Sequence, residues 1–207
     1  MGIENFITFM LTALVFVMTP GIDTVFVLNK SIVQGRKSGV QAAFGINTGV
    51  LAHTVFAALG LSVLLSKSDV AFTAIKYIGF VYLIYLGFLK LKNNKEVLNI
   101  TNNTSKNKKV KSDFWSGFLT NTLNPKVALF FLAFFPQFIA PDQIENPVPF
   151  ILLGITFALI GTVWYLGLTF FATTFTDKIK NNPNFNRYLN KISGIVFILM
   201  GIKIILT

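Results

Sequence analysis

The sequence contains no cysteine and few charged residues. Its 207 residues include no Cys, one His and only 13% charged side chains, against about 25% in ordinary soluble domains. The absence of cysteine excludes disulfides, thiolate metal sites and dithiol redox chemistry. The shortage of charge leaves too little polar material to cover a soluble globule. With 53% hydrophobic residues and a mean hydropathy of +0.65, the composition is that of a membrane protein.

Six apolar runs are each long enough to cross a bilayer. A helix needs about 20 apolar residues to span the ~30 Å hydrocarbon core. The first run has no Lys or Arg before it and no small-residue cleavage site after it, so we expect it to be retained as a transmembrane helix. The predicted spans are residues 6–28, 40–65, 70–91, 114–139, 148–175 and 188–206.

The basic residues are distributed unevenly between the loops. If the chain crosses six times, the first, third and fifth loops share one side of the membrane, and their excess of positive charge predicts that this side is cytoplasmic. Both termini are then expected outside, and the net charge of +10 reflects orientation and not nucleic-acid binding. Fourteen of the 18 basic residues lie in these loops: Lys30, Arg36, Lys37, Lys90, Lys92, Lys95, Lys106, Lys108, Lys109, Lys111, Lys178, Lys180, Arg187 and Lys191.

The longest loop divides the chain into two groups of three helices. Residues 93–113 are rich in Asn, Lys and Ser, which is typical of a mobile linker. We expect this basic cytoplasmic linker to join a first three-helix repeat, residues 1–92, to a second one, residues 114–207.

Short matches relate the two halves to each other. The segment KYIGFVY in the third span is similar to KISGIVF in the sixth, and Pro20 in the first span corresponds to Pro125 in the fourth. Because each half has three spans, matching helices cross in opposite directions. The predicted fold is therefore an all-α membrane protein whose six transmembrane helices form a 3+3 inverted-topology repeat, with helices 1 and 4 interrupted. Such a repeat exposes a central site to each side in turn, which predicts transport.

Helix 1 is interrupted by Thr-Pro-Gly, and an acid follows. Pro20 removes a backbone donor and Gly21 is conformationally free, so the helix can restart there with free N–H groups that suit a carboxylate. Inserting a charged side chain such as Asp23 near the bilayer centre costs roughly 2.5–3.5 kcal/mol of free energy, so a functional role is favoured. Asp23 could bind a substrate ammonium, carry a proton, or do both. The alternative for the Pro20 break is a kink that only improves packing. The alternative for Asp23 is a structural ion pair with Lys126.

Polar residues of helices 2 and 4 complete the candidate site. Asn121 and Asn124 can satisfy backbone groups freed by Pro125, or they can coordinate a polar substrate. Asn47 and His53 are six residues apart, about 240° around a helix, so they cannot both face one small cavity. A bond from His53 to a neighbouring helix is favoured over a proton-relay role.

The two interrupted segments resemble the signatures of the LysE/RhtB family of amino-acid exporters. TPGIDTVFVL, which begins at Thr19, is similar to the first signature, and FLTNTLNPKVALFF, which begins at Phe118, is similar to the second. The resemblance implies a six-helix inner-membrane exporter of amino acids such as homoserine, threonine, leucine or lysine, driven by the proton gradient. The family's Thr-Pro-Gly-Pro-Asn/Asp pattern falls on residues 19–23, with Ile22 replacing the usual second proline, and its Asn-Pro-Lys falls on residues 124–126.

Together these features predict proton-coupled export. The substrate ammonium would compete with a proton for Asp23, while the substrate carboxylate would meet the helix ends near Gly21 and Asn124. No enzyme activity and no cofactor are expected. The expected partners are an amino acid, protons and the lipid bilayer, with room for a homodimer. Efflux of a metal or other inorganic cation is the alternative, although the polar residues offer few hard ligands. The residues expected at the substrate site are Thr19, Pro20, Gly21, Asp23, Asn47, Asn121, Asn124, Pro125 and Lys126.

Overall fold

The computed structural model describes residues 2–61, 69–92, 111–172 and 174, together with 187, 188, 191, 192, 194, 195, 197–199, 201 and 202. In this part of the chain the secondary structure is helical apart from one isolated antiparallel bridge, so the predicted all-α class is confirmed there. The α-helices are α1 (Phe6–Met18), α2 (Ile22–Val33), α3 (Arg36–Phe56), α4 (Asp69–Lys92), α5 (Lys111–Thr122), α6 (Pro125–Phe134) and α7 (Pro147–Phe170).

The described residues contain two helices that are able to cross a membrane, or up to four spans if each bent pair counts as one. Arg36–Gly60 and Pro147–Phe170 are each long and apolar enough to cross a membrane. Two more spans result if α1 with α2, and α5 with α6, are each counted as one bent helix. The third predicted span corresponds in sequence to α4, which is helical but is not among these candidate spans. The sixth lies only partly within the described residues and most of the linker lies outside them, so the count of six and the repeat boundaries stay predictions.

The loop between α2 and α3 is shorter than expected. Helix α2 continues to Val33, five residues beyond the predicted end, and α3 begins at Arg36. The connection is tight because Gly35 has a φ of 89°, a left-handed conformation that glycine adopts without a steric penalty. The additional helical residues include polar ones such as Lys30 and Arg36, so hydropathy alone does not detect these extensions.

The first predicted interruption lies between α1 and α2. The backbone N–H and the hydroxyl of Thr19 both donate to the carbonyl oxygen of Val15, at 3.0 and 2.7 Å, and so end α1. After Pro20 the helix restarts at Ile22, and α2 is bent by 55° from α1. Gly21 is extended, with φ −151° and ψ −167°. The break therefore does not require a left-handed glycine.

The second interruption has a different local chemistry. The side chain of Asn124 accepts a hydrogen bond from the backbone N–H of Lys126 and so caps α6, while Pro125 occupies the first helical position. Both are standard helix-start residues. Helix α6, with the 3₁₀ turn Phe135–Phe138 that follows it, is bent by 50° from α5.

The two bent helices are antiparallel. Residues just before α1 pair with residues just after the 3₁₀ turn: Glu4 N–H donates to the Phe138 carbonyl at 2.8 Å, and Ala140 N–H donates to the Gly2 carbonyl at 3.0 Å. The start of one bent helix thus lies beside the end of the other. Opposite directions with breaks near mid-length bring the two interruptions to the same depth.

Helix α3 packs closely against both α5 and α7. At Gly45 a Cβ atom would collide with the carbonyl oxygen of Phe114 on α5, and at Gly154 it would collide with the side chain of Thr54 on α3. These contacts allow the helices to approach closely. They position polar groups of α3 and α5 next to the break in helix 1.

Candidate functional site

A small cavity lies where the two interruptions meet. Its volume is about 20 Å³, enough for about one water molecule. Seven of the nine expected site residues line it, whereas Pro20 and Pro125 shape the adjacent breaks. The full lining is Phe16, Val17, Thr19, Gly21, Asp23, Thr24, Asn47, Val50, Asn121, Asn124, Lys126, Val127, Phe157, Gly161 and Tyr165.

Asp23 joins the two breaks. It lies in the first turn of α2 and is only 6% exposed. Its Oδ2 accepts a hydrogen bond from Asn121 Nδ2 at 2.8 Å, and its Oδ1 accepts one from Asn124 Nδ2 at 3.1 Å. The position near a helix N-terminus and the two amide donors both favour a negative charge. The acid of the first bent helix is thus held by asparagines of the second.

Lys126 does not form the ion pair with Asp23 that the sequence left open. Its ammonium donates to the carbonyl oxygens of Phe16 and Thr19, each at 3.2 Å, and lies 4.2 Å from the centre of the Phe16 ring. The salt bridge found within the described residues is a different one, Lys30 with Asp113. Lys126 instead stabilises carbonyls at the C-terminal end of α1, where a cation is favourable.

Lys90 was not expected at the site. Its ammonium donates to the Pro20 carbonyl oxygen at 2.9 Å, and so ties the end of α4 to the break. Together Lys90 and Lys126 bond three carbonyl groups that the interruption leaves outside the helical ladder. Charge distribution assigned Lys90 only to a cytoplasmic loop, and no local pattern indicated this contact across 70 residues.

The N-terminus of α6 is already occupied by its own residues. Besides the Asn124 cap on Lys126 N–H, the N–H groups of Val127 and Ala128 both reach the Asn124 carbonyl, at 3.1 Å. The expectation that this helix end offers free N–H groups to a carboxylate is therefore wrong for this conformation. At the N-terminus of α2, by contrast, the N-cap residue Gly21 makes no side-chain cap bond.

The structure confirms the predicted difference between Asn47 and His53. Asn47 lines the cavity, whereas His53 is not in its lining. The Nε2 atom of His53 lies 3.2 Å from the carbonyl oxygen of Asn121 on α5. The histidine is thus bonded to a neighbouring helix, as favoured from the sequence.

Eight residues of the lining are not among the expected site residues: Phe16, Val17, Thr24, Val50, Val127, Phe157, Gly161 and Tyr165. Gly161 and Tyr165 are one turn apart on α7, and Thr24 directly follows Asp23. Because Gly161 and Tyr165 are four residues apart, they lie on the same face of α7. This spacing indicates site residues only once the position of the cavity is known. The described residues include no group of three or more His, Asp or Glu that is able to hold a metal ion.

The contacts near the cavity differ between the α1 side and the α2 side. Toward the start of α1, the rings of Phe16 and Phe130 lie 4.1 Å apart between centres, and Phe157 lies 5.3 Å from Phe130. Toward the end of α2, Lys30 pairs with Asp113 at 2.5 Å. An aromatic cluster therefore packs on the α1 side, and an ion pair joins α2 to α5 on the other side.

Comparison with known proteins agrees with these features. The LysE type translocator family matches residues 14–207. Bacillus subtilis YrhP, an uncharacterized membrane protein, is 36% identical over 199 residues, covering 92% of this chain and 93% of that protein. An uncharacterized membrane protein of Vibrio cholerae is 33% identical over 201 residues, covering 97% and 96%. The homoserine/homoserine lactone efflux protein of Salmonella typhimurium is 30% identical over 202 residues, with the same coverage.

No solved structure matches the chain. The family match covers almost the whole sequence, including both interrupted segments. It confirms the resemblance that these segments carry. This membrane protein therefore belongs to the LysE type translocator family.

Proposed function

We propose that this protein exports amino acids or close derivatives across the inner membrane by proton antiport. The observation that carries the proposal is the buried carboxylate of Asp23, which lies beside a cavity and is held by asparagines from the opposite break. Membership of a translocator family and the similarity to an efflux protein support transport in the outward direction.

The proposed architecture is a six-helix 3+3 inverted repeat with both termini outside the cytoplasm. The antiparallel arrangement of the two bent helices supports it, because corresponding helices of an inverted repeat cross the membrane in opposite directions. The excess of Lys and Arg in alternate loops supports the orientation. In this orientation the ion pair closes the cytoplasmic side and the aromatic cluster closes the outer side.

In the proposed cycle, substrate and proton alternate at Asp23. A cavity with room for about one water is too small for an amino acid, so the cavity has to expand before substrate binds. Substrate enters from the cytoplasm and places its ammonium at Asp23. A proton from outside then displaces it, and the inward gradient of protons drives net export.

The name of the Salmonella relative supports recognition of the ammonium. Homoserine and homoserine lactone both carry an α-amino group, whereas only homoserine carries a free carboxylate. A site that handles both compounds needs a group that binds the shared amine. In this chain, Asp23 is the charged group in the cavity lining with the right sign.

Transport in proteoliposomes tests the proposal. Counterflow of labelled homoserine, threonine, leucine and lysine is measured with and without an imposed pH gradient. We expect at least one of them to be transported and to be accumulated by the gradient. Asp23→Asn should abolish gradient-driven accumulation while the protein remains monodisperse, whereas Asp142→Asn, at an exposed acid, should behave as the unmodified protein. Full gradient-driven transport in Asp23→Asn would refute the role of this carboxylate.

A further inference from the structure

The ammonium of Lys126 connects the second bent helix to the break in the first. Lys126 directly follows Pro125, and its Nζ donates to the carbonyl oxygens of Phe16 and Thr19, each at 3.2 Å. These carbonyls belong to the residues four and one positions before Pro20. An ammonium has three N–H donors, so two of them serve this contact and the third has no hydrogen-bond partner among the described residues.

Asp23 makes the reciprocal contact from the first bent helix to the second. Its oxygens accept bonds from the side chains of Asn121 and Asn124. These asparagines are the residues four and one positions before Pro125. The base of one half and the acid of the other therefore contact equivalent positions of the opposite interruption. We call these two sets of bonds the Lys126 contact and the Asp23 contact.

Both charges are held by neutral groups. Asp23 and Lys126 are the two charged residues of the cavity lining, and they have opposite signs. They form no salt bridge with each other, although both are described residues. Buried charges are most stable beside an opposite charge, and the attraction is strong where water is excluded. A ligand that carries an ammonium and a carboxylate can therefore replace the neutral partners of both residues.

The space beside the Lys126 ammonium borders the cavity at Gly21. Both residues line the cavity, and a Cβ atom placed on Gly21 would lie 3.6 Å from Lys126 Nζ. Because Gly21 has no side chain, nothing on this residue separates the ammonium from the cavity. The Nδ2 group of Asn124 has two N–H donors and uses one of them for Asp23. An ammonium and an amide N–H next to the same cavity are suitable donors for a carboxylate.

We propose that Lys126 binds the substrate carboxylate, and that this binding releases the Lys126 contact. The carboxylate takes the ammonium from the carbonyls of Phe16 and Thr19, while the substrate ammonium takes Asp23 from its asparagines. A zwitterion thus frees both contacts between the breaks, whereas an amine without a carboxylate leaves the Lys126 contact in place. The preferred substrates are then zwitterionic α-amino acids over their amides and esters. The inference rests on the proposed export function.

Inhibition of counterflow tests the inference on the unmodified protein. The labelled substrate is whichever of homoserine, threonine, leucine and lysine gives the strongest counterflow, and the competitors are the same amino acid and its carboxamide. At about pH 6 the α-amine of both compounds is protonated, so they differ at the carboxylate alone. We expect the carboxamide to inhibit at least about tenfold more weakly, because it cannot replace the bonds of a buried charge with those of an opposite charge.

A pair of lysine variants assigns this preference to one ammonium. Lys126→Gln removes the charge, and we expect the inhibition constants of the carboxamide and the amino acid to come within about threefold of each other. Lys90→Gln is the matched control, because Lys90 also donates to a carbonyl of the break, that of Pro20, but does not line the cavity. It should slow counterflow and keep the preference of the unmodified protein. Where counterflow is too slow to measure, the same comparison uses the ligand-dependent rise in melting temperature in detergent.

The outcomes separate the two proposals. If the carboxamide inhibits the unmodified protein as strongly as the amino acid does, the inference is overturned and export stands. If Lys126→Gln folds and keeps the preference, or if Lys90→Gln loses it as well, the assignment to Lys126 is overturned. Absence of counterflow with all four amino acids overturns the export proposal and the inference with it. If Lys126→Gln does not fold, Lys126→Met takes its place, and the carboxamide comparison on the unmodified protein still decides whether a carboxylate is recognised.

Discussion

The ion pair of Lys30 with Asp113 predicts how one side of the cavity opens. Asp113 is fully buried and Lys30 is 14% exposed. Removing one partner of a buried pair costs roughly 3–5 kcal/mol, because the other charge is left unpaired. Lys30→Met leaves the buried carboxylate of Asp113 alone and should approach this range. Asp113→Asn leaves an ammonium that reaches water, so its cost should be smaller, about 1–2 kcal/mol.

The pair bridges α2 and the start of α5. In the proposed cycle, its loss should therefore favour a conformation open on this side over the closed one. At about 1.4 kcal/mol per factor of ten, a loss of about 3 kcal/mol shifts this equilibrium about 100-fold. The chain contains no cysteine, so a single reporter, Thr24→Cys in the cavity lining, can be labelled without background. The assay is the rate of labelling by a membrane-impermeant maleimide in inside-out vesicles.

We expect the labelling rate to rise strongly in Lys30→Met and less in Asp113→Asn. Exchanging the charges, Lys30→Asp with Asp113→Lys, should return the rate toward that of the reporter alone. Equal rates in all these proteins would show that the pair does not hold the closed state. Faster labelling only in right-side-out vesicles would refute the proposed orientation.

Two further predictions rest on other close contacts. Gly45→Ala places a Cβ against a carbonyl oxygen of α5, so we expect a clearly lower melting temperature in detergent; Gly167→Ala, where a Cβ meets nothing within 4 Å, should not lower it. Lys90→Met leaves the Pro20 carbonyl at the break without its donor. We expect slower counterflow in this variant, with little change in its melting temperature. Lys92→Met, at an exposed position of the same helix, should leave both unchanged.

The interruptions were predictable from sequence because their causes are local. Proline removes a backbone donor wherever it stands, and an asparagine before a proline at a helix start is a strong capping signal. Pro20 and Asn124 therefore predicted the two breaks without knowledge of the packing. Antiparallel crossing then predicted that the breaks meet, as the bonds from Asn121 and Asn124 to Asp23 show.

The partners of the lysines were not predictable in the same way. Opposite charges at matching breaks suggested a pair between Asp23 and Lys126, but the ammonium lies on carbonyl groups of α1. Which contact forms depends on the rotation and bend of two helices that are distant in sequence. Lys30 and Lys90 were assigned to cytoplasmic loops because those loops contain an excess of positive charge. That excess is a property of the whole loop and does not specify which group each ammonium contacts.

The contacts of Asp23 suggest how proton binding is linked to movement of the proposed halves. An ionised carboxylate accepts the amide donors of Asn121 and Asn124 at the same time, and both donors belong to the opposite bent helix. A protonated carboxyl group has one oxygen that is now a donor, so it no longer accepts both amides equally. Protonation therefore weakens the tie between the two breaks, and an arriving ammonium competes for the same oxygens. A ligand shifts a conformational equilibrium only through different affinities for its states, and at Asp23 substrate and proton both act on the bonds that hold the breaks together.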